Sequence, residues 1–394
     1  VLKDVFIVGA ARTAIGSFNG TLSGFRAPEL GGFALSAAIE RSGLTPDQVE
    51  ECIMGCVLPA GLGQNPARQA ARLAKIPDHT GSFTVNKVCG SGLKSVMLAA
   101  QAIQCGDQDI IAAGGMENMT AAPYISRDFR GGGRMGDKKL VDCMVYDGIW
   151  DFYNDFHMGN TGELAAEKYE ITREMQDEFA LNSQKKAVAA IDAGKFKWEI
   201  TPVTVPQRKK DPIIFDTDEG PRRDTSLEKL AKLRPAFKKD GTVTAGNAST
   251  INDAGAAVVV ASGEKVKELG LTPIARITGY ATGGMAPEWV MMAPVEATRN
   301  LFKKMDVGLD HFDLYEYNEA FSAAACALTK VLELDPAKVN VHGGAVALGH
   351  PIGCSGTRVL ITLLGALRDR NLKTGYASLC LGGGNAVALA VEMV

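Results

Sequence analysis

A chain of 394 residues, 46% hydrophobic and 7% aromatic, can fill two or three domain cores, mainly with aliphatic side chains and alanine. A net charge of −3 argues against a nucleic-acid partner, and no apolar run is long enough to cross a membrane. Eight cysteines spread over this length do not suggest a disulfide framework, so a reducing, cytoplasmic setting is expected; Cys52 and Cys56 have no matching pair, so no metal is expected.

Residues 5–10 read as a buried strand. Pro28 opens a helix that Gly43 closes, and a strand follows near Cys52–Cys56. A strand-like run then ends in Cys89, and Gly90 and Gly92 follow it, bracketing Ser91. Leu93, Val96, Met97, Ala100 and Ile103 continue at helical spacing. Cys89 thus falls at or just before a helix N-terminus, where free N–H groups and the helix dipole favour a thiolate. Taken alone, the stretch equally fits a buried cysteine beside a tight turn. A strand at 110–113 runs into Gly114-Gly115-Met116-Glu117-Asn118, and strands alternating with helices indicate an α/β fold.

Residues 119–250 differ in texture. They hold 21 of the 42 lysines and arginines, with a helix expected from Thr172 to about Ile191 and Gly194 as its cap. The stretch 195–239 carries twelve basic against seven acidic residues, which suits a phosphate-bearing ligand or a solvated face. Gly131 to Gly136 satisfies G-x-G-x-x-G but neither follows a strand nor opens a helix, so a dinucleotide site is not expected there.

The last third repeats the order of the first. A strand at Ile274–Ile277 and a helix from Val295 to Lys304 come first. Gly308-Leu309 with Leu314 then repeats Gly43-Leu44 with Val49, and Ser355-Gly356 opens a helix as Ser91-Gly92 does. The final strand meets Gly382-Gly383-Gly384 as the earlier one met Gly114-Gly115. This is the pattern of an internal duplication. The expected divisions are 1–118 as one α/β half, completed by about 251–271, then an insertion at 119–250, and 272–394 as the second half. Packing about a pseudo-twofold axis would bring the Cys89 and His350 helix starts together and pair a cysteine with a histidine. Cys380, at a strand end before three glycines, leaves N–H groups open to an oxyanion.

The Val-Cys-Gly-Ser-Gly around Cys89, Asn-Glu-Ala-Phe at 318–321, Gly-His-Pro-Ile-Gly at 349–353 and Cys-x-Gly-Gly-Gly from Cys380 resemble the thiolase family in order and spacing. So do Gly115–Met119 and Gly246–Ser249, and the resemblance covers essentially the whole chain. It implies a thiolase-like fold of two duplicated α/β domains, layered αβαβα, with a large loop-domain insertion. It implies acyl transfer between acyl-CoA thioesters through Cys89, with His350 activating the thiol and Cys380 moving the α-proton. Asn318 would hold a water, and the Cys89 and Gly382 N–H groups would face an oxyanion. His157, Met158, Ala245, Ser249 and Phe321 would line the pantetheine channel and Arg222 would meet the nucleotide. Coenzyme A and acetyl-CoA would be substrates, no cofactor would be tightly bound, and the assembly would be a homotetramer, with a dimer as the alternative.

Phe156-His157-Met158-Gly159 resembles the biosynthetic, acetoacetyl-CoA-forming branch, where His-Met narrows the acyl pocket. The alternatives are a degradative 3-ketoacyl-CoA thiolase and a catalytically silent acyl-CoA-binding or scaffold subunit. A carrier-protein condensing enzyme fits less well, because it lacks a second catalytic cysteine like Cys380. Three departures stand out. His342 occupies a position where thiolases commonly carry Asn, which bears on packing near the His350 loop. Thr250 stands where Gly is common, which bears on the pantetheine path. Asn385-Ala386-Val387 follows Gly384 in place of another glycine-rich pair.

Overall fold

The computed structural model describes residues 2–394. Two sheets share one strand order. In the first, Val5–Thr13 pairs antiparallel with Asn252–Ser262, which pairs antiparallel with Ile110–Asn118; Glu51–Gly55 and then Gly81–Val85 follow in parallel. In the second, Ala275–Gly284 pairs antiparallel with Asn385–Met393, then antiparallel with Thr374–Leu381, then Leu314–Tyr317 in parallel. A lone parallel bridge from Tyr315 to Val339 stands where the first sheet has its Gly81–Val85 strand. The sheets join edge to edge only at Phe6 with Arg276 and Ile7 with Ala275.

The helix Ala27–Ser42 packs outside the first sheet, and Ala293–Met305 packs outside the second. Between the sheets lie Ser91–Cys105 and Ile352–Arg370. Every residue from Ile352 to Leu367 is buried, as expected of a helix with sheet on either side. The two inner helices cross where neither can carry a side chain. A Cβ on Gly356 would stand 2.2 Å from the Leu93 nitrogen, and one on Gly92 would stand 2.9 Å from the Thr357 nitrogen. These glycines let backbone meet backbone and set the distance between the helix starts.

The expected boundaries hold closely for the first helix, where Gly43 takes the left-handed conformation after Ser42. The helix expected from Thr172 to about Ile191 runs from Arg173 to Asp192, with the Thr172 hydroxyl accepting the Met175 N–H. Its cap is Ala193, and Gly194 follows with φ +67°. Between residues 119 and 250 lie also short hairpins and the helices Met158–Lys168 and Leu227–Ala231. Residues 127–139 form exposed turns.

Candidate active site

The strand before Cys89 ends at Val85, short of the cysteine. Lys87–Ser91 is a tight turn with Val88 at φ +45°, a conformation costing about 1–3 kcal/mol for a β-branched residue. Ser91 holds the turn. Its Oγ accepts the Lys87 N–H at 2.8 Å and donates to the Val88 carbonyl at 2.6 Å. Gly90 caps the helix and Ser91 begins it. A Cβ at Gly90 would strike the Leu381 side chain, so the Cys380 strand end seats directly against this turn.

The thiolate expected at Cys89 is not the resting state. Burial pushes the thiol up to about 12, and Cys380 adds to the effect. The N–H groups of Cys89 and Gly382, which donate toward the sulfur, pull the other way but lose to desolvation. Burial raises Cys380 to about 12 as well. Both cysteines rest as thiols, so nucleophilic chemistry here requires a base.

His350 meets that need. Its main-chain N–H donates to Asn252 Oδ1 at 2.9 Å. Its Nδ1 lies 2.6 Å from Ser355 Oγ, and that hydroxyl donates to the Pro351 carbonyl at 2.9 Å. A hydroxyl has one proton, so Ser355 accepts from Nδ1–H. This network assigns the tautomer and leaves Nε2 unprotonated. Burial, with a smaller contribution from the Arg358 charge, pushes His350 down to about 3, so the ring is neutral. Asn318 Nδ2 is 3.4 Å from the ring nitrogens, while its buried Oδ1 has no hydrogen-bond partner among the described residues. The neighbouring Glu319 fixes this loop by accepting from Ser183, Asn340 and the Val346 N–H. Behind Cys89, buried Glu117 accepts the N–H groups of Val57, Leu58 and Gly353, tying the His350 helix start to a strand end of the other half.

One cavity of about 500 Å³ gathers Cys89, His350, Cys380, Gly382, His157, Met158, Arg222, Ala245, Ser249 and Phe321. Of the residues singled out from the sequence, Asn318 alone is outside its lining, standing beside His350. His157 caps the Met158–Lys168 helix, its Nδ1 accepting the Gly159 N–H at 3.0 Å. Its ring stacks on Phe237 at 4.6 Å, and Phe237 meets Phe321 edge-on at 6.0 Å. Met291 Sδ lies 4.0 Å from Cys380 Sγ. Arg222 is exposed on the lining, and its main-chain N–H donates to Gln184 Oε1.

Phe237 and Met291 escaped the sequence reading. The first sits in a basic stretch and the second in an irregular turn, and neither carries a periodic signal. Asn252 and Ser355 escaped as well, although Ser355 stands one turn after His350. Of the departures, His342 lies against Phe196 and Asp369, outside the cavity lining, whereas Thr250 lines the cavity. Among the described residues no cluster of His, Cys, Asp and Glu could hold a metal, and no helix is long and apolar enough to cross a membrane.

Two family models account for nearly the whole chain: the thiolase N-terminal domain over residues 5–264 and the thiolase C-terminal domain over 271–393. The chain is 56% identical over 390 residues to an acetyl-CoA acetyltransferase of Pseudomonas aeruginosa, covering 99% of both proteins. It is 56% identical over 391 residues to an acetyl-CoA acetyltransferase of Cupriavidus necator, covering 99% of this chain and 100% of the relative. The crystal structure of the Bacillus anthracis acetyl-CoA acetyltransferase superposes with a TM-score of 0.98 at 43% identity, covering 100% of this chain and 99% of that one. With both halves matched and both cysteines and His350 lining one cavity, the chain belongs to the thiolase family.

Proposed function

We propose that the protein is an acetyl-CoA C-acetyltransferase, joining two acetyl-CoA into acetoacetyl-CoA and CoA, reversibly, through an acetyl-cysteine. The observation that carries this reading is the shared cavity: the thiols of Cys89 and Cys380 and the imidazole of His350 line one space with Arg222. The names of the similar enzymes support it.

In the first half-reaction the Cys89 sulfur attacks the thioester carbonyl and its proton passes to His350 Nε2. The tetrahedral oxyanion takes hydrogen bonds from the Cys89 and Gly382 N–H groups. CoA leaves with the Cys380 proton, so a thiolate at Cys380 and an imidazolium at His350 remain as a compensating pair in a buried site. In the second half-reaction Cys380 removes a proton from the methyl carbon of acetyl-CoA. His350, and a water on Asn318, stabilise the enolate oxygen. The carbanion attacks the acetyl group on Cys89, and Cys89 leaves and recovers its proton from His350. Each group ends as it began.

His157, Met158, Ala245, Ser249 and Phe321 would line the pantetheine path, and Arg222 would meet the CoA phosphates. CoA and acetyl-CoA enter as substrates, with no tightly bound cofactor. The division into 1–118 with 251–271, 119–250 and 272–394 belongs to the same reading, as do a cytoplasmic setting and a role in lipid metabolism. A homotetramer is supported by exposed apolar side chains around the insertion, among them Tyr124, Phe129, Met135 and Leu140.

Thiolysis of 3-ketoacyl-CoA substrates of increasing chain length tests the reading. Acetoacetyl-CoA should be cleaved far more efficiently than a long-chain substrate, because the Phe156–Met158 segment closes the acyl pocket. Equal efficiency at long chain length would replace it with the degradative assignment.

A further inference from the structure

Thr250 has no part in the chemistry above, yet it lines the cavity next to Ser249 and is half-buried. Its Oγ1 donates to Asn252 Oδ1 at 2.8 Å. The same Oδ1 accepts the His350 main-chain N–H at 2.9 Å, and Asn252 Nδ2 donates to the Gly16 carbonyl at 3.0 Å. Asn252 is fully buried. An amide oxygen has two lone pairs, and here both have donors, so the orientation of the amide is fixed. The backbone it holds has no slack. Gly349 lies at φ +104°, and a Cβ there would stand 2.4 Å from the Asn252 side chain. The position of the His350 ring therefore follows from where Asn252 sits.

We propose that Thr250 is a positioning residue for His350, acting through Asn252: its hydroxyl locks the amide that holds the His350 backbone, while its methyl group forms part of the channel wall. This rests on the role given to His350 under the proposed function. The two halves of the side chain then serve different steps. The hydroxyl bears on proton transfer, where a small displacement of a base is costly. The methyl bears on the fit of CoA.

Three variants of the full-length enzyme separate them. T250V keeps the shape and loses the hydroxyl, T250S keeps the hydroxyl and loses the methyl, and T250A loses both and serves if T250V does not fold. Steady-state thiolysis of acetoacetyl-CoA and the rate of Cys89 alkylation by iodoacetamide across pH are measured for each. T250V should lose about 10-fold in kcat, with KM for CoA unchanged, and its Cys89 should alkylate more slowly near neutral pH. T250S should restore kcat to within about threefold of the unmodified enzyme and carry its change in KM instead. A T250V enzyme with unaltered kcat overturns the proposal, and so does an equal kcat loss in T250V and T250S. Alkylation does not depend on acyl-CoA chemistry. If the unmodified protein shows no thiolysis, the functional reading fails, while equal alkylation profiles for T250V and the unmodified chain would still refute the role of Thr250.

Discussion

His350 donates its Nδ1–H to Ser355 Oγ, 2.6 Å away, and leaves Nε2 unprotonated for chemistry, with Asn318 Nδ2 3.4 Å from it. Ser355 can only accept, because its own proton is committed to the Pro351 carbonyl. The residue that sets the tautomer thus belongs to the first turn of the helix that follows His350, so the fold of that helix and the chemical form of the histidine are one feature.

Replacing Ser355 with alanine should therefore damage catalysis more than packing. The ring loses its tautomer preference and a buried N–H is left without a partner, a cost of about 1–3 kcal/mol in stability. The value of kcat should fall about 10–100-fold, a large part of what a positioned base supplies. Urea unfolding and steady-state thiolysis check the two effects. Full activity in S355A would show that Ser355 does not select the tautomer.

A second prediction concerns acid stability. Burial holds His342 down at about 4, against an unfolded value of about 6.5, with Asp369 opposing and Arg370 and Lys195 assisting. The unfolded chain therefore takes up a proton at this residue before the folded chain does. The stability involved is present above about pH 6.5 and is lost as pH falls through 4. His342→Asn removes that proton uptake. Between pH 7 and 5 the variant should lose about 2 kcal/mol less stability than the parent, by the linkage relation. Activity should be retained, because His342 is outside the cavity lining. Urea midpoints at the two pH values decide it, and equal losses would contradict the assignment.

What the sequence disclosed, and what it hid, divides along a physical line. Gly43, the helix after Cys89 and the repeated glycine positions were legible because they are local: a left-handed cap, a 3.6-residue period and a backbone contact each demand particular residues nearby. The four motifs located Cys89, Asn318, His350 and Cys380. The left-handed Val88 was not legible, because nothing in a β-branched residue announces that conformation. The strand reaching only to Val85 was missed for the same reason. The helix N-terminus that favours a thiolate at Cys89 is a local feature, whereas the burial that outweighs it comes from a cluster built of residues far away in sequence, Met119, Met144 and Ile352 among them. Asn252, Phe237 and Glu117 serve the site through partners such as His350, His157, Leu58 and Gly353, 59 to 236 residues away, and no spacing rule reaches that far.

The central claim is that Cys89 carries the acyl group while Cys380 only moves protons, to the departing CoA and from the acetyl-CoA methyl, and intact-mass measurement of Cys380→Ser after exposure to acetyl-CoA tests it most directly. This change leaves Cys89, His350 and the oxyanion donors in place, but a serine hydroxyl is a poor general base at this position. The variant should still gain the mass of one acetyl group on Cys89, more slowly than the parent because CoA must leave as its thiolate, while condensation to acetoacetyl-CoA, which has no other base for the methyl proton, falls about 10²–10⁴-fold. A folded variant that condenses at nearly the parental rate, or one that cannot be acetylated, would contradict the account.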